Sequence, residues 1–212
     1  MVDDRFGSAA LARRPFQHKL PWTVSGGSFM AVMRFRLANN GVPVITTERL
    51  ILRGHRVEDF VDCLSLWSDP QVTRFIGGRP FTADEVWTRI LRYAGHWTLM
   101  GFGYWRVEDR ASGQCLGEVG YHYNNRDMEP RLDEVPEAGW AFHPHAQGKG
   151  YGLEAVQALL AWGDEHFPYK ASVCLIDPAN LPSIRLAERC GYRLRQRGTF
   201  KGEPTLIFDR EG

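Results

Sequence analysis

The residue types in this chain best suited to chemistry are concentrated in HPHAQGKGYGLEA, residues 143–155. Gly148, Gly150 and Gly152 follow Gln147 at alternate positions, with Lys149 and Tyr151 between them. Glycines so spaced let a backbone bend until successive N–H groups point into one concavity, and such a concavity suits an anion. A helix-patterned segment, 150–167, comes next. The loop would therefore also lie at a helix N-terminus, whose unpaired donors and positive dipole end favour a pyrophosphate. A tight glycine turn between strand and helix is the competing reading. Two named phosphate motifs fail on spelling. A P-loop needs Ser or Thr after its lysine, and Gly150 follows Lys149. A dinucleotide fingerprint would need glycine where Leu153 stands, and the 62 residues after Gly150 are too few for the rest of such a protein.

Acid–base candidates are scattered more widely. Glu137 opens the strand-like EAGWAFH (137–143), where a carboxylate beside a cleft could take a proton through water. His122 and His143 are secondary candidates. His143 and His145 share a face by alternation, but Pro144 lies between them and no further ligand is nearby, so no metal site is expected. Asp127, Glu129, Asp133 and Glu134 make an acidic loop that could attract a cationic amine or be only a solvated face. Cys63, Cys115, Cys174 and Cys190 show no C-x-x-C spacing and read as reduced, buried thiols.

These groups need a frame, and the patterning predicts one. Strands are expected at 48–53, 103–109, 115–123, 137–143, 172–177, 192–198 and 204–209. Helices are expected at 57–70, from a Thr82–Glu85 capping box to about His96, at 150–167 and at 180–191. Asp69-Pro70 reads as the end of the first helix. Trp67, Phe75, Trp87 and Trp97 fall mainly on apolar faces and read as core, with Phe75 to Gly78 as an alternative lip. The order predicts an α+β fold: one domain with a mixed, mostly antiparallel sheet of about six to seven strands flanked by helices.

On its motifs the chain resembles the GCN5-related N-acetyltransferase (GNAT) superfamily. Q-x-x-G-x-G at 147–152 matches its loop signature, and NLPSIRLAERCGY (180–192) is similar to its N-x-x-S-x-x-x-x-E-x-x-G-F/Y segment. TERLILR (47–53), LWSDPQVTRFIGGRPFT (66–82) and EAGWAFHP (137–144) resemble the RimJ/RimL-like branch, so the likeness covers about 43–210. The resemblance implies an N-acetyltransferase that moves the acetyl group of acetyl-CoA to a primary amine, protein N-terminal or small-molecule, by direct attack in a ternary complex. It implies a sheet splayed between the strands before and after the loop. It places the pyrophosphate on Gln147, Gly148, Lys149, Gly150, Tyr151 and Gly152. The pantetheine pairs with Trp140, Ala141, Phe142 and His143, Ser183 also contacts it, and Asn180 hydrogen-bonds it or orders the loop. Glu137 is the expected base, and Ser183 the group that returns a proton to the CoA thiolate. Many members carry a Tyr at the position of Ala187, so a non-catalytic acyl-CoA-binding or interaction module is the alternative.

Composition bounds the rest. The 212 residues carry 26 basic and 25 acidic side chains, for a net charge of +1. That gives no argument for a nucleic-acid or membrane partner. No apolar run approaches the ~20 residues of a membrane-spanning helix, and no secretory signal is visible. A cytoplasmic monomer or homodimer is expected. The charge is uneven: residues 1–42 hold six basic and two acidic side chains and read as a basic leader, loosely structured or partly docked. Residues 43–212 read as the acetyltransferase-like domain.

Overall fold

Alternation in LILR places Leu50 and Leu52 at 0% exposure, with Ile51 half-buried between them. The strand they form is inner, with partners on both sides. The computed structural model describes residues 41–124, 128–130, 132, 135–168 and 171–211. The basic leader, apart from Gly41 and Val42, lies outside the described residues. So do Asp127, Asp133, Glu134 and the Glu129 side chain of the acidic loop.

Among the described residues, nine strands form one sheet: β1 (Ile45–Thr46), β2 (Leu50–Arg53), β3 (Tyr104–Asp109), β4 (Cys115–His122), β5 (Met128–Glu129), β6 (Glu137–Phe142), β7 (Ala171–Ile176), β8 (Arg193–Phe200) and β9 (Glu203–Glu211). Their order is β1-β2-β3-β4-β6-β7-β9-β8-β5. The count exceeds the six to seven expected because β1 and β5 are two-residue strands, too short to show a periodicity. Every pairing is antiparallel except β6 with β7, which meet in register only at Glu137 and Val173. Past that point the two diverge, and the expected splay lies where the resemblance placed it.

Five α-helices among the described residues flank the sheet: α1 (Phe60–Trp67), α2 (Pro70–Thr73), α3 (Ala83–Met100), α4 (Tyr151–His166) and α5 (Leu181–Arg189). The first is shorter than predicted. Asp59 accepts from the Arg56 amide at 2.7 Å and pairs with the Arg53 guanidinium, which holds 57–59 as a 3-10 turn. Asp69-Pro70 ends α1 as predicted but also starts α2, because Asp69 accepts from the Gln71 amide and proline suits the first helical position. The Thr82–Glu85 capping box is present, and Gly101 at φ 74° ends that helix one turn later than expected.

Two apolar clusters separate the faces. Val119, Tyr121 and Phe142 pack with Val156, Leu159 and Leu160 of α4. Ala141 packs with Cys63, Leu66 and Trp67 of α1 and Val86 and Ile90 of α3. Ala141 and Phe142 are consecutive, so these clusters lie on opposite sides of β6. Of the four aromatics read as core, Trp67 and Trp97 are buried, whereas Phe75 and Trp87 are half-buried. All four cysteines are buried and free, as expected. No described helix is long and apolar enough to cross a membrane.

Candidate active site

The loop between β6 and α4 has the backbone its glycines permit. Gly148 and Gly150 take φ of 73° and 81°, the left-handed region. Gly150 is the N-cap of α4 and, with no side chain, offers no cap of its own. The first intrahelical bond runs from the Glu154 amide to the Gly150 carbonyl at 3.1 Å. The amides of Gly150, Tyr151, Gly152 and Leu153 therefore have no acceptor within the helix. Open donors, a dipole end and exposed Lys149 fit a pyrophosphate. Gln147, the first residue of the expected pyrophosphate loop, is held at the base of that loop. Its Nε2 donates to the Phe142 carbonyl at 3.1 Å, which ties the loop to the end of β6.

A second tie came without any signal in the sequence. Arg49 donates from Nη1 to the Lys149 carbonyl at 3.0 Å and from Nε to Glu154 at 2.7 Å, and it lies 4.7 Å over the Tyr151 ring. Glu154 also accepts from Thr47 Oγ1 at 2.6 Å. Partial burial disfavours its charge, but the hydrogen bonds from Thr47 and Arg49 prevail and hold this carboxyl below its ordinary value. The cradle is thus clamped to the segment before β2. These partners lie 100 to 107 positions apart, a separation no local pattern reveals.

Asn180 and Ser183 meet at the start of α5. Asn180 Oδ1 accepts from the Ser183 amide at 3.2 Å and caps the helix. Ser183 Oγ accepts from the Trp140 indole at 3.3 Å. That contact joins α5 to β6 across the splay. Ala187 is fully buried in the core.

Glu137 belongs to the other face. Alternation directs Glu137, Gly139 and Ala141 toward α1 and α3, and Trp140 and Phe142 toward α4 and α5. The two acid–base candidates, Glu137 and Ser183, therefore flank β6 from opposite sides. Glu137 Oε2 accepts from Asn124 Nδ2 at 3.0 Å. With its amide nitrogen so used, Asn124 turns its oxygen to His122, whose Nδ1 donates to it. His96 stacks on His122 with centroids 4.3 Å apart. Its Nδ1 lies 2.6 Å from the Phe102 carbonyl and its Nε2 accepts from the Tyr123 amide. The chain from His122 through Asn124 to Glu137 was not legible beforehand, although His122 itself was a candidate.

Burial, above all, pushes the His122 imidazole down to about 4. Its ordinary value is 6.5, so below that pH the unfolded chain takes up a proton that the folded protein refuses. The resulting stability is complete above about pH 6.5 and is lost as pH falls through about 4. Its ceiling is about 3 kcal/mol before solvent screening, at ~1.36 kcal/mol per pH unit. His96 and His143, also lowered chiefly by burial, act in the same direction. Urea midpoints should fall between pH 6.5 and 4 in the wild type and fall distinctly less in His122→Gln. Parallel profiles for the two proteins would contradict this.

Beneath α3 lies a buried polar group that sequence reasoning missed. Glu118 on β4 is 1% exposed, accepts from the Tyr93 hydroxyl and stands 3.3 Å from His55 Nε2. Arg89 donates to the same Tyr93 oxygen at 2.9 Å. Complete burial disfavours the Glu118 charge, yet His55, Arg89 and Tyr93 outweigh it and keep the carboxyl below its ordinary value. Among the described residues, His55, Cys63 and Glu118 form the one three-residue grouping close enough to suggest a metal. Burial pushes the Cys63 thiol far up, so it stays protonated, and Glu118 is already engaged. The grouping reads as a hydrogen-bonded core. His143 is buried and stacked on His145 at 5.0 Å, with no third ligand beside the pair among the described residues.

Comparison with known proteins agrees with this fold. A family model described as an acetyltransferase (GNAT) domain matches residues 49–193. The uncharacterized N-acetyltransferase YnaD of Bacillus subtilis (strain 168) is 29% identical over 157 residues, 74% of this chain and 85% of its own. A Bordetella pertussis structure assigned to the GNAT-family acetyltransferases superposes with a TM-score of 0.70 at 34% identity, over 79% of this chain and 99% of that one. The spermidine N-acetyltransferase of Vibrio cholerae, solved with CoA and spermine, has the same fold at a TM-score of 0.61 and 18% identity, over 78% and 96% of the two chains.

Proposed function

The chain belongs to the GNAT acetyltransferases, and from that premise we propose that it transfers the acetyl group of acetyl-CoA to a primary amine by direct attack in a ternary complex. The observation that carries this reading is one juxtaposition. A left-handed glycine loop with open helix donors stands at the mouth of a splay between two parallel strands. The 148–152 amides and Lys149 would hold the pyrophosphate. Trp140, Ala141 and Phe142 lie on the strand that loses its partner at the splay, and His143 follows it, so backbone groups directed toward β7 are available to the peptide-like pantetheine. A backbone N–H there would also stabilise the oxyanion of the attacked thioester. That the Vibrio cholerae neighbour was solved with CoA and a polyamine supports an amine acceptor.

Proton handling is assigned to both sides of β6. Glu137 would accept a proton from the amine through water, held in place by Asn124. A terminal α-amine, with a pKa of ~7.7–8.0, asks little of it, and a lysine-like amine at ~10.4 asks more. The indole N–H of Trp140 uses one lone pair of Ser183 Oγ and leaves the hydroxyl proton for the departing thiolate. Thiolates are good leaving groups, with a pKa of ~8.5, so Ser183→Ala should lower kcat only about tenfold, and by more than it weakens CoA binding. Equal kcat in both proteins would remove that role.

Ala187, fully buried where many family members carry Tyr, favours a second reading: a module that binds acyl-CoA without turnover. Thiol release from acetyl-CoA, followed against a panel of primary amines and alongside CoA calorimetry, separates the two. Binding without release on any amine would select the module.

A further inference from the structure

We infer that Tyr104 is an acceptor-binding residue whose hydroxyl, together with Glu137, seats the two N–H groups of a primary amine on the α3 side of β6. The inference rests on the N-acetyltransferase reading above. Its observation is a row of paired positions across three adjacent strands: Tyr104 on β3 faces Gly120 on β4, and Gly120 faces Gly139 on β6. Glycine weakens a strand interior and is retained there where another group must come close. Neither Gly120 nor Gly139 has a positive φ, so no backbone conformation calls for it. Space does. A Cβ on Gly120 would overlap the Tyr104 backbone and ring, and one on Gly139 would overlap the Tyr104 hydroxyl. The two glycines clear a track along which the ring lies flat over β4 and brings its oxygen to β6.

The ring is fixed in that position. Tyr93 stacks on it with centroids 4.7 Å apart at 12°, and His122 meets it edge-on at 5.9 Å. The Tyr104 carbonyl accepts from the Trp97 indole at 3.0 Å. Tyr104 nevertheless stays half-buried, so the residue is not sealed in the core. Its oxygen lies over the residue before Trp140, where the proposed pantetheine strand begins. It shares a face with Glu137, two residues or about 7 Å away along the strand. A neutral primary amine has two N–H groups and one lone pair. One N–H directed at the phenol oxygen and the other, through water, at Glu137 would leave the lone pair to face the thioester. A secondary amine would lack one of these contacts.

The test is Tyr104→Phe, which keeps the ring and its stacking and removes only the oxygen. Thiol release would be followed with the best primary amine of the panel and with its N-methyl analogue. The expected result is a fall of about tenfold in kcat/KM for the primary amine, mostly through KM, the worth of one hydrogen bond. The preference for the primary amine over the N-methyl one should narrow, while CoA affinity and thermal midpoint stay at wild-type values. Unchanged kcat/KM and preference, or a loss that follows the thermal midpoint alone, would overturn the inference while the wild type still turns over. A wild type that binds no CoA and releases no thiol would overturn the N-acetyltransferase reading and this inference with it.

Discussion

Gly150→Val should weaken CoA binding by about 10- to 100-fold in a protein that still folds. Gly150 is the N-cap of α4 at φ 81°, and its amide is one of four with no acceptor in the helix. A β-branched residue there meets a left-handed conformation that costs roughly 1–2 kcal/mol, and its Cβ would come within 3.3 Å of Arg49 Nη2. The backbone would relax by rotating out of that region and turn the amides away from their common centre. Losing one hydrogen bond to a charged phosphate, at ~1.5–3 kcal/mol, accounts for the expected range. Calorimetry with CoA checks affinity, and circular dichroism checks that the variant is folded. Wild-type affinity in a folded Gly150→Val protein would falsify the assignment of the loop to the pyrophosphate.

Glu137→Gln should act on turnover instead. General acid–base groups contribute ~10²–10⁴ in rate, so kcat should fall by about that factor with lysine-like amines. With α-amines the loss should be smaller, because more of the amine is neutral near pH 8. A glutamine oxygen can still accept from Asn124 Nδ2, so the hydrogen bond to β6 is retained and CoA affinity should not change. The comparison needs kcat across pH for two acceptors of different basicity. Equal losses for both, or none, would mean that Glu137 is not the base and only anchors Asn124.

The elements were legible where their causes are local. Thr82 and Glu85 cap α3 through contacts three residues apart, and that helix was readable from its first residue. The loop glycines take the left-handed backbone that their spacing suggested. Boundaries moved where a distant partner intervened. Asp59, drawn to Arg53, shortened α1. The two-residue strands β1 and β5 left no pattern because their pairing depends on β2 and β8.

Site residues divide along the same line. Gly148, Lys149, Gly150 and Gly152 could be proposed from spelling because glycine's freedom and a helix's open donors belong to a few consecutive residues. Glu118, Tyr104 and Arg49 could not. All eight residues of β4 are buried because both faces of the sheet are covered, so no polar alternation marked Glu118 as an inward carboxylate. Tyr104 reaches β6 only because glycines 16 and 35 positions later fall opposite it in register. The sequence by itself determined the chain's local chemistry: caps, turns, the phosphate-suited loop and the family they spell. The tertiary structure alone decided which side of β6 each proposed proton-handling group occupies and what holds it there. Strand register and sheet order join residues that have no local interaction energy in common, and only the folded sheet expresses that coupling.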